Sequence, residues 1–291
     1  MDLEFRPPAE ADWPAFAAQM QESFIETWPA EVATNMRALD EMARPLAGFA
    51  GERLEATGGA YRFQMQVPGA TLPCSGITWI TVSTRQRRKG VLREMMRRLQ
   101  ETGVSEGEPI AALYAAEGAI YGRFGFGVAA RTVHLKVAAR ELAALPPSPG
   151  RVVEISRDEA FERFPPVFAL SVANRPGVVL REARWWARIL RATPMEGPGW
   201  MPARFLVYID ADGRDRGTAI ARLMGAMKGL NYAGKARLSD LHAADADASR
   251  ALWRYAGSFD LVRSVTARMR PADDPLPFLV RDLRQGPGFP G

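Results

Sequence analysis

Residues 76–82, GITWITV, are β-branched and apolar on both faces, the pattern of a buried central strand. Upstream, Trp13, Phe16, Ala17, Met20 and Phe24 recur at helical spacing and predict a helix over Trp13–Phe24. Tyr61, Phe63, Met65 and Val67 alternate, as one face of a strand does. Downstream, Val91, Leu92, Met95, Met96 and Leu99 share one helical stripe. Leu3–Arg6, Pro109–Ala116 and Ala130–Val137 read as further strands, and Gly118–Phe124 as a helix of about two turns. In the second half, Val152–Ile155 reads as a strand, and Asp158–Asn174 and Leu180–Arg191 as helices. Arg204–Ile209 and Thr218–Met224 flank the turn DADGRDRG and predict a hairpin. Ala236–Leu241, Asp245–Ser258 and Leu261–Arg268 follow as strand, helix and strand. The first half closes in the same order, which suggests a duplicated α/β fold built on mixed sheets.

The best break between the halves is LAALPPSPG, residues 142–150, whose three prolines, serine and glycine cannot continue a helix or a central strand. The expected domains are therefore 1–143 and 144–284, with QGPGFPG, 285–291, as a disordered tail.

Composition narrows the classes. The chain has 291 residues, 47% hydrophobic and 24% charged, as a globular protein of two domains has. No uncharged apolar run reaches the roughly 18 residues of a membrane helix. The N-terminus, MDLEFRPPAEAD, lacks the order of a signal peptide. One cysteine, Cys74, excludes an internal disulfide, and two histidines offer no zinc-ligand spacing. The expectation is a cytoplasmic protein without a metal or membrane partner. A net charge of +5 is modest and suits an acidic ligand.

The positive charge is concentrated. Ser83 to Arg97 holds six basic residues around Gly90, between the strand ending at Val82 and the helix starting at Val91. A glycine-containing loop at a helix N-terminus binds anions through free backbone N–H groups and the helix dipole. The glycine patterns of a dinucleotide fingerprint and of a Walker A loop are both missing.

Arg87-x-x-Gly90-x-Leu92 resembles the pyrophosphate loop Q/R-x-x-G-x-G/A of the GNAT acyl-CoA N-acetyltransferases, with Leu92 in place of the small residue. Ala115-Ala116-Glu117 and Ile120-Tyr121-Gly122-Arg123-Phe124-Gly125-Phe126-Gly127 resemble the A-S-E and I-Y-G-R-F-G-Y-G stretches of one GNAT subfamily, the Eis-like (enhanced intracellular survival) acetyltransferases. ARLSDLHAADADASRALWR and RPADDPLPFLVRD resemble that family's second GNAT-like domain. The family's loop P-T-H-R-R-R-G is replaced here by Thr84-Arg85-Gln86-Arg87-Arg88-Lys89-Gly90. The resemblance implies two tandem GNAT domains. It also implies acetyl-CoA as co-substrate and direct acetyl transfer, through a tetrahedral intermediate, to a primary amine of a lysine side chain or a cationic small molecule.

The resemblance also distributes roles. Backbone groups of Ile80, Thr81 and Val82 are expected to hold the pantetheine arm and polarise the thioester carbonyl. Arg87, Arg88, Lys89, Gly90, Val91, Leu92 and Arg93 are expected to cradle the pyrophosphate, with Ala116 and Glu117 lining the groove. Tyr121 is expected to protonate the leaving thiolate, since a phenol is still protonated at neutral pH. Eis-like proteins carry a third domain whose terminal carboxylate serves as base. The sequence ends at Gly291, so that base is not carried over, and a water relay or a carboxylate such as Glu22 or Glu26 remain as alternatives. In the second domain Asp245 and Asp247 stand where an arginine–glycine loop would be, so CoA binding is not expected there. His134 reads as structural and Cys74 as no nucleophile.

Taken without the family, Tyr121 is a half-buried aromatic beside a glycine turn, and Arg85–Lys89 is a solvated face. Two other functions stay open: a degenerate GNAT pair that binds acyl-CoA as sensor or scaffold, and nucleic-acid binding through Arg85–Arg98. The second lacks interleaved aromatic residues for base stacking. A homo-oligomer is a further open expectation.

Overall fold

The computed structural model describes residues 3–28, 43–173, 175–191 and 199–281. The chain divides into two compact units, residues 1–129 with 174–184, and residues 130–173 with 185–291. Among the described residues no helix is long and apolar enough to cross a membrane.

The first unit is a five-stranded sheet in the order β1-β2-β3-β4-β5. Its strands are β1 (Glu4–Arg6), β2 (Ala43–Ala50), β3 (Arg53–Val67), β4 (Ala70–Val82) and β5 (Ile110–Leu113). The first four pair antiparallel, and β4 and β5 pair parallel. Helix α1 (Trp13–Phe24) sets Phe16 against Trp79 of β4, whose ring also meets Tyr61 of β3 edge-on. Helix α2 (Val91–Ser105) buries Val91, Met95, Met96 and Leu99 against Ala56, Ala60 and Ile77, with Ile80 beside them. Ile77 and Ile80 therefore pack toward the same helix although they stand three apart. A regular strand repeats its face every two residues, so an irregularity lies between them. Strand β2 carries Pro45 and Gly48, and no alternating pattern announced it.

The second unit is a six-stranded sheet in the order β6-β13-β12-β9-β8-β7. These strands are β6 (Thr132–Ala138), β7 (Arg151–Ile155), β8 (Arg204–Ile209), β9 (Asp215–Met224), β12 (Gly234–Ala243) and β13 (Val262–Pro271). A small hairpin, β10 (Met227–Lys228) with β11 (Asn231–Tyr232), forms a separate pair. The helices are α3 (Ala139–Ala143), α4 (Arg157–Ser171), α5 (Ala183–Arg191), α6 (Ala246–Gly257) and the short α7 (Leu276–Leu279). Ser156 and Glu159 close a capping box on α4, and Asp245 caps α6 by accepting from the Ala248 amide. The core gathers Trp253, Leu252, Leu206, Leu238 and Tyr208, all fully buried. Gly257 lets α6 approach α3 closely: a Cβ there would stand 2.6 Å from the Ala139 carbonyl oxygen.

Three expectations need correction. The boundary between 143 and 144 moves to 129 and 130, and residues 174–184 return to the first unit. Strand β6 pairs antiparallel with β13, Val137 opposite Val265, and buries Leu135 and Val137 in the second core. Alternation marks a strand and says nothing of its partner. The stretch 142–150 is no free linker either. Leu142 and Leu145 are buried, the Tyr208 hydroxyl donates to the Pro149 carbonyl, and Ser148 Oγ donates to the Asp247 carbonyl at 2.9 Å. Last, Gly118–Phe124 yields only one short 3-10 turn, Tyr121–Phe124, where Gly118 and Gly122 disfavour a longer helix. The expected tail, 285–291, lies outside the described residues.

Candidate active site

Strand β4 outruns its neighbour. Its last parallel partner is Ile77 opposite Leu113, yet it continues to Val82. From Thr78 onward it pairs only with β3, so the edge holding Ile80, Thr81 and Val82 has free backbone groups to offer. At the same place the β3–β4 ladder is irregular. Thr57 stands opposite Thr81 and Gly59 opposite Thr78, so Trp79 and Ile80 share the single partner position of Gly58. Trp79 takes the left-handed backbone, φ 59°. This is a β-bulge, the device that re-aims a strand beside a site.

The basic loop follows directly. After the 3-10 turn Thr84–Gln86, Arg88 (φ 63°) and Gly90 (φ 84°) both adopt the left-handed conformation, and α2 begins at Val91. The Glu94 amide is bonded to the Gly90 carbonyl. Ahead of it, the amides from Gly90 to Arg93 have no intrahelical acceptor, as the first turn of a helix leaves them. Left-handed turns of this kind curve successive N–H groups around an anion, and the dipole of α2 adds to the field. These residues fit a diphosphate.

The charges of the cluster are divided between two jobs. Arg87, Arg88, Lys89 and Arg93 are exposed and have no carboxylate partner among the described residues. Arg85 instead turns to the buried Glu55, Nε to Oε1 at 3.4 Å. On α2, Arg97 and Arg98 bind Glu94 and hold its carboxyl down to about 2, and Arg97 also binds Glu101. The run from Arg85 to Arg98 is thus no continuous free basic stripe, which removes the main support for nucleic-acid binding.

Glu55 anchors the loop. Its carboxylate accepts from the Ser83 hydroxyl and pairs with Arg53 Nε at 2.5 Å, and its carbonyl accepts from the Ser83 amide at 2.8 Å. Burial alone would raise its pKa, but the Ser83 hydrogen bond and the charges of Arg53 and Arg85 outweigh it, so the value falls below the ordinary 4.5. A lowered folded pKa gives stability that is present above about pH 4.5 and lost as pH falls through the folded value. Glu55→Gln is therefore expected to unfold more easily in urea at pH 7, by about 1–3 kcal/mol. The gap to wild type should narrow steadily on acidification below pH 4.5.

Tyr121 opens the turn after β5 and packs, half-buried, on the cluster of Ala60, Ile77, Met96 and Leu99, with Phe126 edge-on at 6.2 Å. Its hydroxyl has no hydrogen-bond partner among the described residues. Burial raises the phenol's pKa and the Glu117 carboxylate adds to the rise. Ala116 and Glu117 are exposed on the segment leading into this turn, and the Glu117 carbonyl accepts from the Ile120 amide at 3.3 Å. Of the possible bases, Glu22 is exposed on α1 and the Glu26 carboxylate accepts from Trp28 Nε1 at 2.7 Å. His134 is exposed on β6, in the second unit. Cys74 is buried and its thiol is pushed up to about 11 by burial and Glu108, which leaves it unreactive.

The second unit repeats the frame and alters the chemistry. Strand β12 also outruns its parallel neighbour, after Leu238 opposite Ala267, and Asp240 takes the left-handed backbone, φ 52°. There Arg270 from β13 donates to the Leu241 carbonyl at 2.6 Å and pairs with the buried Asp274 at 2.7 Å. Asp245 caps α6 and pairs with Arg216 at 2.9 Å, where the first unit has free amides and arginines.

The missing signals are instructive. Thr57 and Glu55, which hold the bulge and the loop, were not legible as site residues, because the alternation read in the sequence begins only at Tyr61. The pair Gly58-Gly59 is the one local hint, two glycines inside a strand.

Comparisons with known proteins identify the family. Residues 4–129 and 177–288 each match an acetyltransferase (GNAT) domain family. An uncharacterised N-acetyltransferase of Streptomyces avermitilis is 33% identical over 253 residues, 86% of this chain and 62% of that one. The N-acetyltransferase Eis of Mycobacterium tuberculosis is 31% identical over 295 residues, 98% of this chain and 70% of that one. The crystal structure of Eis1 from Mycobacterium abscessus superposes with a TM-score of 0.74 at 26% identity, covering 97% of this chain and 69% of that one. The chain thus spans 62% of the length of the Streptomyces avermitilis relative. Both halves of the chain match the domain family, and the similarity to Eis spans 98% of the chain: the chain belongs to the Eis-like family of tandem GNAT N-acetyltransferases.

Proposed function

We propose that this chain transfers an acetyl group from acetyl-CoA to a primary amine. The observation that carries the reading is the continuity of β4's open edge with the N-terminus of α2, under exposed arginines that pair with no carboxylate among the described residues. That combination suits a ligand with an extended amide arm and a diphosphate. Arg87, Arg88, Lys89 and Arg93, with the amides from Arg88 to Arg93, hold the diphosphate. Backbone groups of Ile80, Thr81 and Val82 pair with the pantetheine arm and polarise the thioester carbonyl. A neutral amine then attacks and forms a tetrahedral intermediate, its N–H proton passes through water to solvent, and the intermediate collapses with departure of the CoA thiolate, Tyr121 being reprotonated from solvent afterwards. Tyr121 gives that thiolate its proton, and the raised phenol pKa keeps the proton in place until it is needed. Ala116 and Glu117 line the groove beside it.

The amine is a lysine side chain or a cationic small molecule of the aminoglycoside kind. The second unit binds no CoA: its loop is acidic, and Arg270 covers the Leu241 carbonyl that would serve an arm lying along β12. The test is thiol release from acetyl-CoA with polyamine, aminoglycoside and lysine-peptide acceptors. Turnover that requires the amine is the expected result. CoA binding without turnover of any acceptor would replace this reading with a sensor or scaffold.

A further inference from the structure

We infer that Thr57 is a positioning residue for acyl transfer: its hydroxyl holds the β4 bulge in the shape that presents Ile80 to Val82 along the open edge. The inference rests on the transferase reading above and names a residue outside the binding motifs.

A bulge takes residues out of the regular ladder. Here the Trp79 carbonyl accepts from Thr57 Oγ1 at 2.7 Å. Thr57 Oγ1 lies 2.7 Å from Thr81 Oγ1 as well. A hydroxyl has one proton, and a carbonyl cannot donate. Thr57 therefore gives its proton to Trp79, and Thr81 donates to Thr57. One side chain on β3 thus ties down both flanks of Ile80. Both threonines are buried, so water does not compete for these bonds. Left-handed backbone at a tryptophan persists only where its surroundings over-determine it.

The neighbours on β3 are shaped for the same purpose. A Cβ at Gly58 would stand 2.7 Å from Met95 Cε and 3.0 Å from Ile80 Cδ1, and one at Gly59 would stand 2.9 Å from the Trp79 ring. Thr57-Gly58-Gly59 is a socket: two positions make room and the third supplies the hydrogen bond.

The second unit contains its own control. Its bulge has the same register, Thr218 opposite His242 and Ile220 opposite Ser239, so Thr218 is the counterpart of Thr57. Thr218 Oγ1 is buried with no hydrogen-bond partner among the described residues. The threonine is engaged in the unit with the anion loop and idle in the unit whose edge Arg270 covers.

The experiment compares wild type with Thr57→Val, Thr57→Ser and Thr218→Val. Calorimetry measures acetyl-CoA binding, infrared difference spectra record the bound carbonyl of 13C-labelled acetyl-CoA, and steady-state assays follow. Wild type should shift the carbonyl band to lower frequency, and Thr57→Val should return it toward the free value. Turnover should fall about tenfold with KM for acetyl-CoA nearly unchanged, as a misplaced polarising edge requires. Thr57→Ser should restore both readouts, and Thr218→Val, at the unbonded counterpart in the second unit, should stay within about threefold of wild type. If the valine variant does not fold, Thr57→Cys, with a weak donor, carries the same comparison. Wild-type protein that binds no acetyl-CoA overturns the transferase reading and this inference with it. Binding with the same band and turnover in Thr57→Val, or with no band shift in wild type, overturns the inference alone.

Discussion

Tyr121→Phe is expected to lower kcat at least tenfold while CoA affinity stays within about twofold, because loss of a general acid acts on the chemical step and not on ground-state binding. The ring of Tyr121 packs on Ile77, Met96 and Leu99 and meets Phe126 edge-on, contacts that phenylalanine keeps. Only the hydroxyl is lost, and no protein group depends on it for a hydrogen bond among the described residues. A structural tyrosine would therefore tolerate the change. The pH dependence sharpens the test. Burial and Glu117 raise the phenol above its ordinary value of 10, so the proton-donating form predominates from neutrality up to pH 10. Wild type should show no loss of activity from Tyr121 between neutral and mildly alkaline pH. An unchanged kcat in the phenylalanine variant would remove Tyr121 from the mechanism.

The double variant Arg88→Glu with Lys89→Glu is expected to weaken CoA binding at least tenfold at low salt, with the defect shrinking as ionic strength rises. Both side chains are exposed at the mouth of the loop and pair with no carboxylate among the described residues, so thermal stability should hardly move. Arg97→Ala is the matched control. Arg97 already binds Glu94 and Glu101, so its removal should leave CoA affinity within about twofold. Isothermal calorimetry at two salt concentrations reads both effects. Equal losses in the two variants would mean that general positive charge, and not the loop, attracts the ligand.

The two predictions differ in how they arose. Tyr121 and the Arg87–Arg93 loop lie in short contiguous stretches, where spacing and resemblance carry the information. The division of labour among the basic residues does not lie in any stretch. Arg85 looks equivalent to Arg87 in the sequence, but it answers to Glu55 on a strand 30 residues away. Thr57 was silent for the same reason: its role exists only where β3 meets the bulge of β4.

Helix α1 and the start of α2 came directly from hydrophobic spacing, because a helix face is defined by neighbours three and four residues apart. The hairpin around DADGRDRG followed from turn chemistry, which is equally local. The anion loop belongs to this class too, since a glycine between strand and helix is enough to propose it. Tertiary structure alone decided which sheet receives β6, that 142–150 is packed, and that Arg270 covers the second unit's open edge. Each depends on a partner far along the chain, Val265 for Val137, Tyr208 for Pro149 and Leu241 for Arg270. A strand's pattern states which face is apolar, and a proline states where a helix stops. Neither states what will cover that face, because burial and hydrogen bonding are satisfied by whatever the fold brings close.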